Sequence, residues 1–298
     1  MKIQMRLVGP ASIVAALALS LAGCGTSSST STPAPPESAH LLEQLDTPAP
    51  ELGFAAGRIA TECLADQGFR LKSNWVHDAP RPIFSADSFF DSEDQARTYG
   101  FTSTVKNSFN ELEESLSPER QQKFQVAFFG NDSSAVYYAL SSGTKVGMST
   151  DGCLGKAVAE VYGSVVNYLM VSNAVNDILV ASTDFRAERS QILAKASGEF
   201  VACMNAKGHP VTDQNTISLA AEKFGVYRAE GEKPSAEESQ LAVADFQCKD
   251  SLKVNEKLKT AFLDKSGGWL TNNNAKLQSI VALKKEAITN ARKVMTGG

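Results

Sequence analysis

Histidine is scarce in this sequence of 298 residues, which contains only His40, His77 and His209. None of them lies in an H-E-x-x-H pattern, and the sequence has no C-x-x-C pair and no EF-hand loop that could bind a metal ion. The G-x-S-x-G motif of serine hydrolases and the glycine-rich loops that bind phosphate are also missing. We therefore predict no metal ligands, no cofactor and no catalytic residues.

The sequence also lacks an excess of positive charge. Lysine and arginine together number 29, against 33 aspartate and glutamate residues, which gives a formal net charge of −4. A protein that binds nucleic acid needs a basic surface to neutralise the phosphates. We therefore expect no nucleic acid among the partners of this protein.

Long apolar runs are missing as well, except at the start of the chain. The apolar segment 7–22 is short, follows two basic residues and ends in small residues, as a secretory signal peptide does. Its last four residues, Leu21-Ala22-Gly23-Cys24, resemble the lipobox of bacterial lipoproteins. This resemblance implies that residues 1–23 are removed and that lipid on Cys24 anchors the chain to the cell membrane, facing outside the cytoplasm.

If Cys24 carries lipid, four cysteines remain in an oxidising compartment, where disulfides form. One scheme joins Cys63 to Cys153 and Cys203 to Cys248. The alternative scheme joins Cys63 to Cys203 and Cys153 to Cys248, and the spacing of the cysteines leaves both open.

Composition and periodicity divide the mature chain into three parts. Residues 24–50 are rich in Ser, Thr and Pro, which predicts a disordered tether. Apolar residues at three- and four-residue steps predict a mainly α fold, with a first helical unit over 51–162 and a second over 163–298 that includes a C-terminal helix. Residues 135–149 alone have strand character, and Ser142-Gly143 predicts a β-hairpin turn.

The pattern also predicts where long helices end. One helix runs from Asp151 to a break at 182–184, and another from Ser235 toward Leu263. The glycine pair at 267–268 and the asparagines at 272–274 predict a loop before the last helix.

The two units echo each other. Both contain the pattern C-[LM]-x-x-x-G, at 63–68 and 203–208, and a downstream A-x-x-[YF]-G-[FV] pattern ends at Phe101 and at Val226. An internal duplication favours disulfides within each unit, Cys63–Cys153 and Cys203–Cys248. The same motifs resemble those of uncharacterised secreted or lipidated actinobacterial proteins, a resemblance that implies no particular activity.

Two aromatic segments are candidate ligand platforms. One contains Trp75, His77 and Asp78, and the other contains Trp269 beside several asparagines. A tryptophan ring with polar neighbours suits a sugar or a peptide. The alternative interpretation is that each tryptophan fills a gap between helices.

We therefore expect a membrane-anchored lipoprotein that binds an envelope protein, a peptide or a glycan without catalysis. A cell-envelope hydrolase acting on peptidoglycan or its peptides through Asp or Glu side chains is the alternative. A solute-binding subunit of a transporter is disfavoured, since the alternation of strands and helices typical of that class is missing.

Overall fold

A computed structural model describes residues 34–72, 90, 92–102, 108–181, 183–226, 228 and 232–297. Most of these residues are helical, so the predicted mainly α class is confirmed. The helices are α1 Pro36–Asp46, α2 Pro50–Asp66, α3 Glu93–Tyr99, α4 Ser108–Ser115, α5 Pro118–Phe129, α6 Cys153–Tyr162, α7 Val165–Ala181, α8 Thr183–Ala206, α9 Thr216–Phe224, α10 Ala236–Leu252, α11 Val254–Asn272 and α12 Asn274–Thr296. None of the helices in these ranges combines the length and hydropathy that a bilayer span requires.

The two strands form the predicted hairpin in the first unit. Strand β1 is Ala135–Ala139 and β2 is Lys145–Ser149, paired antiparallel with Tyr137 opposite Gly147. Gly143 in the turn has a φ of +83°, a left-handed conformation that glycine adopts without strain. One face of the hairpin packs on the helices through alternate side chains: Val136, Tyr138, Val146 and Met148.

Both disulfides follow the pairing that the duplication favours. Cys63 is bonded to Cys153 and Cys203 to Cys248, with Cα–Cα distances of 5.6 and 5.8 Å. The alternative scheme, which joined the two units, is therefore excluded.

The helices that carry the first cysteine of each disulfide end in the same way. At the end of α2 the backbone N–H of Phe69 donates to the carbonyl oxygen of Leu64 at 2.9 Å. At the end of α8 the N–H of His209 donates to the carbonyl oxygen of Met204, also at 2.9 Å. A glycine with left-handed φ precedes each donor and turns the chain back over the last helical turn. The repeated C-[LM]-x-x-x-G motif therefore adopts the same helix-ending conformation in both units.

The larger core lies among α2, α6, α7 and α12, with α1, α5, α11 and the first part of α8 around them. Helix α2 packs on both α6 and α12, and three of its small residues, Ala55, Ala56 and Ala60, are fully buried. Small side chains let neighbouring helix backbones approach closely, and Leu277 of α12 packs into the same core. Helices from opposite ends of the sequence therefore share one hydrophobic core.

A smaller core lies among α3, α9, α10 and the last part of α8. It contains Phe200 and Met204 from α8, Ala220 from α9, and Leu241 and Cys248 from α10. Helix α3 belongs to the first half of the sequence, yet it packs on α10 of the second half.

The structure corrects the predicted tether from Pro36 onward, because α1 is a packed helix. It buries three leucines: Leu41, Leu42 and Leu45. The ammonium group of Lys284 on α12 donates to carbonyl oxygens at the end of α1, which lack partners within the helix. The acceptors are Gln44 at 3.1 Å, Leu45 at 2.7 Å and Thr47 at 2.6 Å. Burial lowers the pKa of Lys284.

Three predicted helix boundaries also differ from the structure. The helix expected from Asp151 onward is interrupted at Gly163, which has a φ of +76° between α6 and α7. The helix expected from Ser235 ends at Leu252, because Lys253 adopts a left-handed φ of +48° before α11 begins. The loop expected at residues 267–268 is helical, since packing of α11 outweighs the low helix propensity of glycine.

Candidate functional site

An open groove of about 910 Å³ lies beside the Cys63–Cys153 disulfide. Three segments line it: the last turn of α2, one face of α5, and the first turn of α6 together with the base of the hairpin. The polar side chains on its walls are Asp66, Gln67, Glu119, Gln122, Lys123, Asn131, Asp151 and Lys156. Its volume falls in the range of about 300–1,000 Å³ that is typical of ligand sites.

Helix α5 presents one face to the groove and the other to the core. Phe124 and Phe128 are buried, and the ring of Phe109 lies within 4.6 Å of the first and 4.5 Å of the second, measured between centroids. Glu119 and Lys123 lie on the opposite side of the helix and are exposed. The amphipathic period of α5 therefore anchors one wall of the groove by aromatic packing.

The end of α2 is held close to the disulfide. The side-chain amide of Gln67 donates to the sulfur of Cys153 at 3.0 Å. Cys153 is fully buried and Cys63 is half-buried, so the cystine forms part of the groove wall without projecting from it. The disulfide therefore positions this wall relative to α6.

The base of the hairpin is fixed by Asp151. Its carboxylate accepts hydrogen bonds from the hydroxyl of Ser134 and from the backbone N–H and side-chain amide of Asn131, the last two at 2.9 and 2.8 Å. These bonds, the one from Ser134 foremost, lower the pKa of Asp151 to about 2. This carboxylate is therefore ionised at neutral pH and already engaged in holding the loop.

Charges of both signs around the groove have no ion-pair partner. Within the described ranges, Asp66, Glu119, Lys123 and Lys156 form no ion pair within 4.0 Å. Glu119 and Lys123 stand four residues apart on α5, the spacing and order that best favour a pair on a helix. By contrast, Glu93 on α3 pairs with a residue four positions later at 2.6 Å. The unpaired groups leave the groove able to bind a ligand that carries both charges.

The structure places only part of the predicted platform. Trp269 lies in α11, half-buried, and its carbonyl oxygen accepts a hydrogen bond of 2.8 Å from the side chain of Asn273. The segment around it is therefore a helix and not the predicted loop. Cys24, Trp75, His77 and Asp78 lie outside the described residues, and the platform stays a prediction.

Elsewhere in the described chain, no group of three or more His, Cys, Asp or Glu side chains is placed to hold a metal ion. The sequence did not lead us to predict the groove residues, although their spacing on α5 is a signal that one helix face is polar. Glu119, Gln122, Lys123 and Val126 follow the one-face spacing of a helix. A polar helix face is normally solvated, and only the position of α2 turns this one into a groove wall.

No family model, curated protein or solved structure matches the chain.

Proposed function

We propose that this protein is a lipoprotein anchored through Cys24 outside the cytoplasm, and that it binds a ligand without catalysis in the groove beside Cys63–Cys153. The Leu21-Ala22-Gly23-Cys24 sequence supports the anchor. The two disulfides support the compartment, because they persist where the environment is oxidising.

The observation that carries the binding role is the set of unpaired charges in the groove. Among the described residues, two acidic and two basic side chains that line this open concavity form no ion pair, whereas Arg58 and Glu62 on α2 pair at 2.9 Å. A ligand with both an amine and a carboxylate, such as a peptide, would pair with both kinds of group. We therefore place the ligand site between α5 and the end of α2.

One groove carboxylate, Asp151, is unsuited to the general-acid role that glycosidic hydrolysis requires. A hydrolase of glycosidic bonds needs a general acid whose pKa is raised. The pKa of Asp151, which lies at the groove, is instead lowered to about 2 by its hydrogen bonds.

Membrane fractionation tests the anchor. We expect the wild-type chain in the membrane pellet and the Cys24→Ala variant in the soluble fraction, because the variant cannot be lipidated. A Cys63→Ala, Cys153→Ala chain serves as the control, since it loses a cystine and keeps the anchor. A Cys24→Ala chain that still sediments with membranes would overturn the anchoring proposal.

Site-specific photo-crosslinking in intact cells tests the groove. A photoreactive residue at Val126, on the groove wall and 43% exposed, is expected to give an adduct. The same residue at Val166 of α7, 37% exposed, is the matched control and should give none. Adduct formation at Val126 should fall when Lys123 and Lys156 are both changed to Glu. No adduct at Val126, or one unaffected by those changes, would contradict the proposal.

A further inference from the structure

Helices α5 and α10 hold equivalent positions in the sequences of the two units, each before the second cysteine. Both follow a serine, and α5 is twelve residues long. Twelve residues of α10 likewise precede Cys248, while α5 is separated from Cys153 only by the hairpin segment. That segment leaves and returns at one point, because a Cβ added at Gly152 would collide with the backbone nitrogen of Gly130. When the hairpin segment is left out, residues 118–129 of α5 align without a gap with residues 236–247 of α10.

The alignment assigns a counterpart to each groove residue of α5. Glu119 corresponds to Glu237, Lys123 to Leu241, and Ala127 to Asp245. On α10 the last two positions are buried, Leu241 at 4% and Asp245 at 0% exposure. On α5 the equivalent side chains line the open groove.

Helix α9 lies along this face of α10, which also packs on α8. The hydroxyl of Thr216, at the start of α9, donates to the carboxylate of Asp245. The ammonium of Lys223, near its end, donates to Glu237 at 2.5 Å. Helix α9 therefore runs antiparallel to α10.

The counterpart of α9 in the first unit is α3, and it lies elsewhere. Both helices end in a glycine with left-handed φ, Gly100 at +60° and Gly225 at +85°. Yet α3 packs on the other side of α10, where Ser239 donates to the carbonyl oxygen of Arg97 at 3.1 Å and Gln247 contacts the first residue of α3. Helix α10 thus carries both short helices, whereas among the described residues the groove face of α5 is open.

We infer that the groove binds a short helix of a partner protein, lying antiparallel on α5 as α9 lies on α10. The inference rests on the proposed binding role of the groove and names its ligand. Charge complementarity selects this occupant. On α10, Glu237 pairs with Lys223 of α9. Its counterpart on α5, Glu119, is also acidic, so the occupant needs a basic residue opposite Glu119. Lys123 replaces the apolar Leu241, so the occupant needs an acidic residue opposite it.

These contacts give the partner helix a pattern. Counting from the position of Thr216, the basic residue stands seven positions later, where α9 has Lys223. The acidic residue is expected at the position of Ala220, four residues after Thr216. Ala220 lies about one helical turn from both Thr216 and Lys223, and it belongs to the same core as Leu241, the counterpart of Lys123. The partner helix is therefore expected to carry a small or hydroxyl residue, an acid and a base at positions 1, 5 and 8.

A stapled peptide with the sequence of residues 214–226 and the change Ala220→Glu tests this pattern. Fluorescence anisotropy with the full lipidated chain in detergent should show saturable binding. Lys123→Glu in the protein should weaken binding about tenfold, because a salt bridge becomes a like-charge contact. A peptide with Ala220→Lys should then restore it. Lys257→Glu, a reversal of an exposed charge on α11, is the matched control and should change nothing.

The outcomes separate this inference from the proposed function. Failure of the Ala220→Glu peptide to bind, or loss of binding on Lys123→Glu without rescue, would overturn the helix as occupant. So would a Val126 adduct that proves to be a second copy of this chain or a small molecule. In each case an adduct at Val126 would still support a binding groove. Absence of both the adduct and the peptide complex would overturn both proposals.

Discussion

The two disulfide units use one local design in two different surroundings. In each unit, the helix that carries the first cysteine is followed by a glycine with left-handed φ, Gly68 or Gly208. The disulfide then joins that helix to a helix later in the chain. In the second unit, α10 is covered by α3, α8 and α9. In the first unit, the corresponding face of α5 is open and lined with unpaired charges.

The difference separates positions that stabilise a core from equivalent positions that remain on the surface. Buried positions on α10, such as Leu241, contribute to a core, while the equivalent Lys123 on α5 contributes charge to a surface. The neighbouring helices that pack around a position, rather than its place along its own helix, decide which role it has.

The largest effect is expected from removing a disulfide. Changing Cys63 and Cys153 to Ser should lower the free energy of unfolding by about 4.6 kcal/mol, since the bond closes a loop of 90 residues. The same change at Cys203 and Cys248 removes a bond that closes a loop of 45 residues, and it should cost about 0.6 kcal/mol less. Urea denaturation of the two variants measures both values. A larger loss in the second unit would show that chain entropy does not govern the comparison.

A smaller effect separates equivalent positions on α10 and α5. Leu241→Ala should lower the free energy of unfolding by about 3 kcal/mol, because it opens a cavity in the smaller core. Lys123→Ala should change it by less than about 0.5 kcal/mol, because that side chain is exposed. Thermal and urea unfolding measure the pair. Similar losses at both positions would mean that the face of α5 is covered.

The smallest effect is a pH dependence of opposite sign in the two units. Burial raises the pKa of Asp245 above its ordinary 3.8, despite Lys249 and Thr216. The folded state therefore favours the protonated form, and stability falls as the pH rises from 3.8 through the raised pKa. Hydrogen bonds from Ser134 and Asn131 lower the pKa of Asp151 to about 2, so its stabilisation is full above 3.8 and lost as the pH falls to about 2.

Asparagine substitutions measure these two slopes. Relative to wild type, Asp245→Asn should become more stable as the pH rises above 3.8, because the variant is never charged. Asp151→Asn should become less stable over the rise from pH 2 to pH 4. Denaturant unfolding between pH 2 and pH 7 provides both curves. Slopes of the same sign would contradict the opposite environments assigned to the two carboxyl groups.

Much of the fold follows from short-range patterns in the sequence. The glycine that ends each cysteine helix, the Ser142-Gly143 turn and the repeated C-[LM]-x-x-x-G motif are local signals, and they led to the confirmed hairpin and the confirmed disulfide pairing. Their reliability has a physical cause, because a positive φ or a tight turn restricts the residue that can occupy it wherever the chain lies.

Other features depend on contacts that no local pattern contains. Segment 36–46 has a composition typical of a tether, yet it is helical because α12 buries its leucines and Lys284 caps its carbonyl groups across 239 residues. The helix through residues 267–268 and the groove beside Cys63 arise in the same way. Local sequence specifies where helices can end and which cysteines can meet, whereas burial by distant helices decides which polar faces become core and which remain open to a ligand.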